Sequence, residues 1–269
     1  MKDELSTRMK EFYENRTRIS LPRRTYTIIR IDGKAFHTYT RGLKRPFDEG
    51  LIEDMDLTAC YLCKNIQGAK FGFVQSDEIS VLMTDFEAIT TDAWFDGNIQ
   101  KIVSVAASMA TAKFNQLRLI RNVNTSKTTS IQTMLDSKLA EFDARTFTIP
   151  SKTEVINYFV WRQIDTVRNS ISSAAQSVFS HKELNNKNTD QMQEMLFQKG
   201  INWNDYNPKH KRGRFIFKET FEKVIDPKLP EGMPPVDSFQ TVIRSRWVSG
   251  ECPTFTQDKN FLEERVPDL

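Results

Sequence analysis

Asp32, Asp77 and Glu78 are the residues of this chain best suited to chemistry. Asp32 follows the β-branched, apolar residues 26–31 and immediately precedes Gly33, which places it at the carboxyl end of a predicted strand that stops in a tight turn. Asp77 and Glu78 lie in Gln75-Ser76-Asp77-Glu78, with Phe71 and Phe73 before them and Ile79, Val81 and Met83 after, all at period two. That pattern predicts a hairpin whose turn carries both acids and keeps them out of the core. Hard carboxylate oxygens that converge without matching lysines suit Mg²⁺. Two such ions about 3.5–4 Å apart clamp the attacking and leaving oxygens of phosphoryl or nucleotidyl transfer. The same pattern is met by a solvated turn, with Asp32 acting as a cap.

The elements that must bring these acids together are legible on both sides. From Asp48, a helix N-cap, Leu51, Ile52, Met55, Ala59, Leu62 and Ile66 follow helical spacing until Gly68. A second helix is predicted over about 98–117, where Ile102, Ala106, Met109 and Ala110 give a small-residue face able to lie close to a sheet. A strand follows over 144–149 and ends at Pro150. Strand, helix, hairpin, helix and strand make a β-α-β-β-α-β ferredoxin-like unit, in which the carboxylates share one edge. Ser151-Lys152-Thr153-Glu154 then opens a long helix through Val155, Phe159, Trp161 and Ile164 as a capping box, and another helix over 189–199 closes at Gly200. A late hairpin near 215–217, a Pro-rich stretch over 226–235 and a short strand at 241–244 complete the chain. The expected fold class is α+β, with a catalytic core over 1–150, a mainly helical region over 151–226 and an extension over 227–269.

Length and composition fit a soluble globular protein: 269 residues, 39% hydrophobic and 27% charged. Lys and Arg total 38 against 35 Asp and Glu, so a polyanion would have to be bound by a local patch rather than by the global field. Three cysteines give no disulfide framework and fit a reducing cytoplasm, and no apolar run approaches a membrane span. Cys60 and Cys63 form a C-x-x-C within a helix with no second pair or nearby histidine, which reads as buried thiols rather than zinc ligands. His37, His181 and His210 support no nucleophile-histidine signature.

Two further groups are suited to phosphates. Residues 33–37, Gly-Lys-Ala-Phe-His, could cradle a triphosphate with backbone N–H groups, and Arg23, Arg24, Arg30, Lys34, Arg41, Lys44 and Arg45 surround them in sequence. Lys209-His210-Lys211-Arg212-Gly213-Arg214, with Trp203 and Tyr206 just before, combines charge and aromatics as nucleic-acid contacts do, and as solvated loops also do. Arg162, Asp165 and Asn169 share one face of the long helix.

Together these residues resemble the tRNA(His) guanylyltransferase superfamily. Residues 30–37, 45–48, 75–78, 142–145, the Trp161-Arg162-Gln163-x-Asp165 run and residues 200–204 look like that family's successive motifs, in order and spacing over about residues 20 to 215. The resemblance implies a polymerase-like palm and addition of nucleotides to the 5′ end of tRNA, opposite in direction to ordinary polymerases. It makes Asp32 and Asp77 the side-chain ligands of two Mg²⁺ ions, with the Gly33 carbonyl, and Glu78 an essential acid in ligation or support. It places Lys34, Ala35, Phe36, His37, Arg45, Ser76 and Lys101 against nucleotide or triphosphate, and Arg162, Arg168, Asn169, Asn202, Lys209, Lys211 and Arg212 against tRNA. It also implies a homotetramer.

Where the eukaryotic guanylyltransferases carry a His-Ile-Asn-Asn element, this chain has Val167-Arg168-Asn169-Ser170, which looks like the bacterial-type branch. Members of that branch resemble 3′-to-5′ polymerases that restore missing 5′ nucleotides on truncated tRNAs, after activating the end with ATP or GTP. The alternatives are a histidine-tRNA guanylyltransferase adding a single G at position −1, a palm-type nucleotidyl cyclase, and a non-catalytic RNA-binding module. The last lacks the aromatic sheet motif such modules use.

Overall fold

Residues 26–31, all buried except Arg30, form a strand covered on both faces in the interior of one sheet, and the remaining elements are arranged about it. The structure is a computed structural model that describes residues 4–125, 135, 137–225, 240–258 and 260–269. Along the chain the elements are α1 (Glu4–Phe12), β1 (Tyr26–Gly33), α2 (Phe36–Tyr39), α3 (Glu49–Asn65), β2 (Ala69–Gln75), β3 (Glu78–Met83), α4 (Ile99–Thr125) and β4 (Phe142–Ile149). Then follow α5 (Lys152–Gln176), α6 (His181–Leu184), α7 (Thr189–Gln198), α8 (Pro208–Arg212), β5 (Arg214–Ile225), β6 (Gln240–Glu251) and α9 (Asn260–Glu263).

The strands form one antiparallel sheet in the order β4-β1-β3-β2-β5-β6. Its first four strands, with α3 and α4, are the expected ferredoxin-like palm. Odd positions of β1 and β3, among them Ile29, Ile31, Ile79 and Val81, face Met55, Leu62, Ile102 and Phe114 of α3 and α4. Even positions such as Tyr26, Ile28 and Leu82 face Val155 and Phe159 of α5, together with Phe255 and Leu262 of the C-terminal segment. Each such fully buried side chain contributes about 1.5–3 kcal/mol. Gln163 of α5 ties the C-terminal segment down: its Nε2 donates to Pro253 O at 2.8 Å and its Oε1 accepts from Phe255 N at 2.7 Å.

Local signals act as the sequence predicts. Asp48 accepts from Leu51 N at 2.8 Å at the start of α3, and Ser151 accepts from Glu154 N at 3.3 Å at the start of α5. Three expectations change. The second helix runs on to Thr125, eight residues beyond its expected end at 117. The late hairpin is long, 12 residues in each strand; β5 joins β2 through Gly72↔Ile216, Phe73↔Phe215 and Val74↔Arg214 and β6 pairs with β5, so one sheet draws strands from all three of the expected regions. The final strand is correspondingly longer than 241–244. Residues 226–235, the Pro-rich stretch, lie outside the described residues. Cys63 is buried and Cys60 partly so, and burial pushes both thiols up, Cys60 to about 11. Among the described residues no helix is long and apolar enough to cross a membrane.

Candidate active site

The acids meet because register brings them together. Asp32, near the end of β1, lies opposite Glu78, the first residue of β3, and Gly33 N donates to Asp77 O at 3.1 Å, which fixes the hairpin turn against the end of β1. Ser76 adopts a left-handed conformation at φ 45°, so the chain reverses in two residues and presents Asp77 at the sheet edge. Gly33 is required there for space: a Cβ would come within 2.2 Å of the Phe36 ring.

The two adjacent acids have opposite fates. Asp77 stays at the edge, where burial, and then the charges of Asp32 and Glu78, push its carboxyl up to about 6. Glu78 instead enters the interior on the α5 side and is 6% exposed, contrary to the expectation that both charges stay in the turn. The reason is period two: Glu78 shares a face with Ser80 and Leu82, and α5 supplies a partner. Arg162 grips it with Nε to Oε1 and Nη2 to Oε2, both at 2.8 Å, and holds Asp165 Oδ2 at 2.8 Å as well. Arg30 Nε approaches Glu78 Oε2 at 3.3 Å, off the line of a hydrogen bond, and Arg30 Nη2 lies 3.9 Å from Asp32. Glu78 is thus a buried brace between β1, β3 and α5, neutralised by two guanidinium groups.

Asp32, Gly33, Ser76 and Asp77 form one wall of a cleft of ≈ 530 Å³. Ala35, Phe36, His37, Lys44, Arg45 and Asp48 line it as well. Ser173 and Gln176, from the last turns of α5, close it. These two were missed by sequence reasoning, yet with Asn169 they stand at i, i+4 and i+7 on one helical face, a signal already present in the Arg162-Asp165-Asn169 stripe.

Several expected contacts are relocated. The N–H groups of Gly33 and Lys34 are committed to Asp77 O and Glu141 O, so a phosphate cradle would draw on Ala35 to His37. Phe36 turns its ring into the core against Phe114 and Phe142, and Lys34 Nζ bonds Glu141 at 2.6 Å. Arg23 pairs with Asp85, Asp92 and Asp96, and Arg24 donates to the carbonyls of Ala88 and Ile89, beyond the end of β1 opposite to Asp32. Lys101 also belongs to that opposite end, because α4 begins beside the end of β3, and its ammonium lies over Phe95 at 6.0 Å. Within this chain none of these three cations reaches the acids.

Of the residues expected to touch tRNA, Arg162 is 4% exposed and committed to Glu78, and Lys211 is 6% exposed with its ammonium on Asn204 O at 2.5 Å. Both are therefore structural cations with no face to offer a polyanion. Arg168, Asn169 and Asn202 are exposed, and Lys209 and Arg212 partly so.

The cleft can hold an ion. Among the described residues no three acidic, histidine or cysteine side chains form a cage by themselves. Asp32 and Asp77 offer two hard donors, however, and the unrelieved negative charge that raises Asp77 is what a divalent cation relieves. Such a site, completed by a carbonyl, water and substrate phosphates, is the usual arrangement for Mg²⁺.

Comparison with known proteins agrees with this fold. The sequence profile of the family described as tRNAHis guanylyltransferase matches residues 6–150. A bacterial tRNA(His) guanylyltransferase-like protein solved in complex with ATP is 42% identical, covering 98% of this chain and 99% of that one, with a TM-score of 0.81. A bacterial protein of the same description solved in complex with GTP gives 42% identity, the same coverage and a TM-score of 0.76. The tRNA(His) guanylyltransferase of Eremothecium gossypii is 27% identical over 213 residues, 71% of this chain and 82% of its own length.

Proposed function

The chain belongs to the tRNAHis guanylyltransferase family of nucleotidyltransferases acting on tRNA, and on that basis we propose that it is a 3′-to-5′ polymerase that repairs the 5′ ends of truncated tRNAs. One observation carries this reading. The likeness to the bacterial-type protein is 42% and spans the whole chain, against 27% over 71% for the fungal guanylyltransferase. Val167-Arg168-Asn169-Ser170 in place of His-Ile-Asn-Asn agrees with it.

In the first step an oxygen of the RNA 5′-monophosphate attacks the α-phosphorus of ATP or GTP, forming a 5′-5′ linkage and releasing pyrophosphate. In the second, the 3′-hydroxyl of an incoming NTP attacks the RNA 5′-phosphorus; the activating nucleotide leaves as its monophosphate and the hydroxyl proton is released. Lys44 and Arg45 line the same cleft as the acids and hold triphosphate oxygens. Backbone N–H groups of Ala35 to His37 orient the same phosphates. Asp32 and Asp77, with the Gly33 carbonyl, would hold Mg²⁺, which when bound would supply charge neutralisation to the reacting oxygens. Glu78 and Arg162 fix the Asp77 turn without touching substrate.

The test is transfer of labelled nucleotide to a panel of 5′-truncated tRNAs with each NTP omitted in turn. Templated extension of several tRNAs is expected. Addition of one G to histidine tRNA alone would overturn the reading in favour of the single-addition enzyme.

A further inference from the structure

Arg45 is the cleft cation with the least support of its own. Its side chain is exposed and makes no hydrogen bond or ion pair among the described residues. A long, unpaired guanidinium loses rotamer freedom when it binds a phosphate, so its affinity depends on how firmly its backbone is already set.

That backbone is set from two sides. On the α3 side, Asp48 caps the helix through Oδ1 and accepts from Lys44 N at 3.2 Å through Oδ2, which closes residues 44–48 into a loop. On the other side the ring of Phe47 is clamped. It stacks on His210 of α8, with centroids 4.6 Å apart and planes 25° from parallel, and meets Tyr206 edge-on at 5.3 Å.

The clamp is itself braced. His210 Nε2 donates to Glu49 Oε1 at 2.7 Å, at the start of α3, while Nδ1 has no partner among the described residues, so the stack and that one bond hold the ring. Asn207 caps α8 by accepting from Lys209 N at 2.9 Å, and the buried Lys211 ammonium lies over Trp203 at 5.3 Å as well as on Asn204 O. Tyr206 packs against the Leu184 and Leu196 cluster. The basic segment 209–214, which reads in sequence as a nucleic-acid contact, thus has an inward side that carries the clamp.

The loop is also a partition. Lys44 and Arg45 line the acid cleft, Phe47 and His210 line a smaller cavity of ≈ 110 Å³, and Pro46 and Asp48 line both. Phe47 is not part of the cleft lining, so its influence on a nucleotide there runs through the loop backbone.

We propose that Phe47 and His210 are positioning residues: their stack sets the 44–48 loop so that Arg45 meets the triphosphate of the activating nucleotide. The proposal rests on the functional reading above and adds to it what holds the phosphate-binding loop.

The experiment titrates the full chain with ATP and Mg²⁺ at equilibrium and follows AMP transfer to a 5′-monophosphorylated, truncated tRNA in parallel. Phe47→Ala is expected to weaken ATP binding and raise KM for ATP about tenfold, with kcat and KM for RNA within twofold. Phe47→Tyr, which keeps the ring, should stay within twofold of the wild type. In an Arg45→Ala chain, Phe47→Ala should add less than twofold, because the group it positions is gone. His210→Ala should repeat this pattern and His210→Phe should restore it, which tests the clamp from a second element. Equal factors in the two backgrounds, or ATP binding unmoved by both Phe47→Ala and His210→Ala, overturn the proposal and leave the polymerase reading standing. The expected pattern in ATP binding, with no nucleotide transfer by the wild-type chain to any tRNA, supports the clamp and overturns the polymerase reading.

Discussion

Asp77 carries an electrostatic penalty that pH and metal should reveal. Its carboxyl titrates at about 6, above the ordinary range, because burial and the Asp32 and Glu78 charges oppose ionisation. For an acid raised in this way the folded state holds the proton more tightly than the unfolded one. The penalty is therefore fully present above pH 6 and fades as pH falls through 6 towards 4. Asp77→Asn should accordingly raise Tm at pH 7.5 by several °C, since about 1 kcal/mol moves Tm by about 2–4 °C at this size, and the gain should shrink by pH 4.5. Mg²⁺ should raise Tm of the wild type at pH 7.5 and leave Asp77→Asn unmoved, while nucleotide transfer by the variant is lost. Glu78 behaves otherwise. Arg162→Met leaves its buried carboxylate with Arg30 alone and should cost about 3–5 kcal/mol, read from urea midpoints. Arg162→Met combined with Glu78→Gln should recover part of that loss, and neither protein should transfer nucleotide normally. Asp32 and Asp77 were legible because strand ends and turns have local signals. The burial of Glu78 was not, because its partner lies 84 residues away on another element.

At the scale of elements, what was legible was local: the β-branched, apolar run of β1, the Asp48 and Ser151 caps, and the glycines that end α3 and α7. What was hidden was pairing. The strand β5 reads alone as an isolated late hairpin, and only its register with β2 makes it part of the palm sheet. Gly213 controls that entry. It sits at φ 82°, and a Cβ there would lie 2.6 Å from the Phe73 ring and 2.8 Å from Val74 O. Both strain and clash oppose any side chain, so Gly213→Ala is expected to destabilise the chain by roughly 1–3 kcal/mol. Because Arg214 follows directly and pairs with Asp56 of α3 at 2.7 Å, the same change should also weaken nucleotide transfer. Urea unfolding and the transfer assay measure the two effects separately. An unchanged midpoint would mean that β5 can shift its register at little cost.

At the scale of the whole molecule, α1 does not pack like the rest. None of its residues is buried, and Met9 and Phe12, three apart on one face, are 43% and 55% exposed, with Tyr13 just after the helix 67% exposed. A nine-residue helix is marginal in water without packing, so an apolar face this exposed is better explained by a partner than by propensity. The homotetramer that the family resemblance implies would supply one of the right kind, a second copy of the chain. It also gives a reason for the position of Lys101, which stands at the sheet end away from its own chain's acids. The prediction is that Met9→Glu/Phe12→Glu, two exposed positions outside the cleft, lowers the mass found by light scattering at micromolar concentration while leaving the unfolding midpoint of the subunit within about 0.5 kcal/mol. A wild-type chain that is monomeric at those concentrations would remove the assembly from the argument. α1 would then need a different occupant, and the RNA itself could be tested by protection of α1 from proteolysis on tRNA binding.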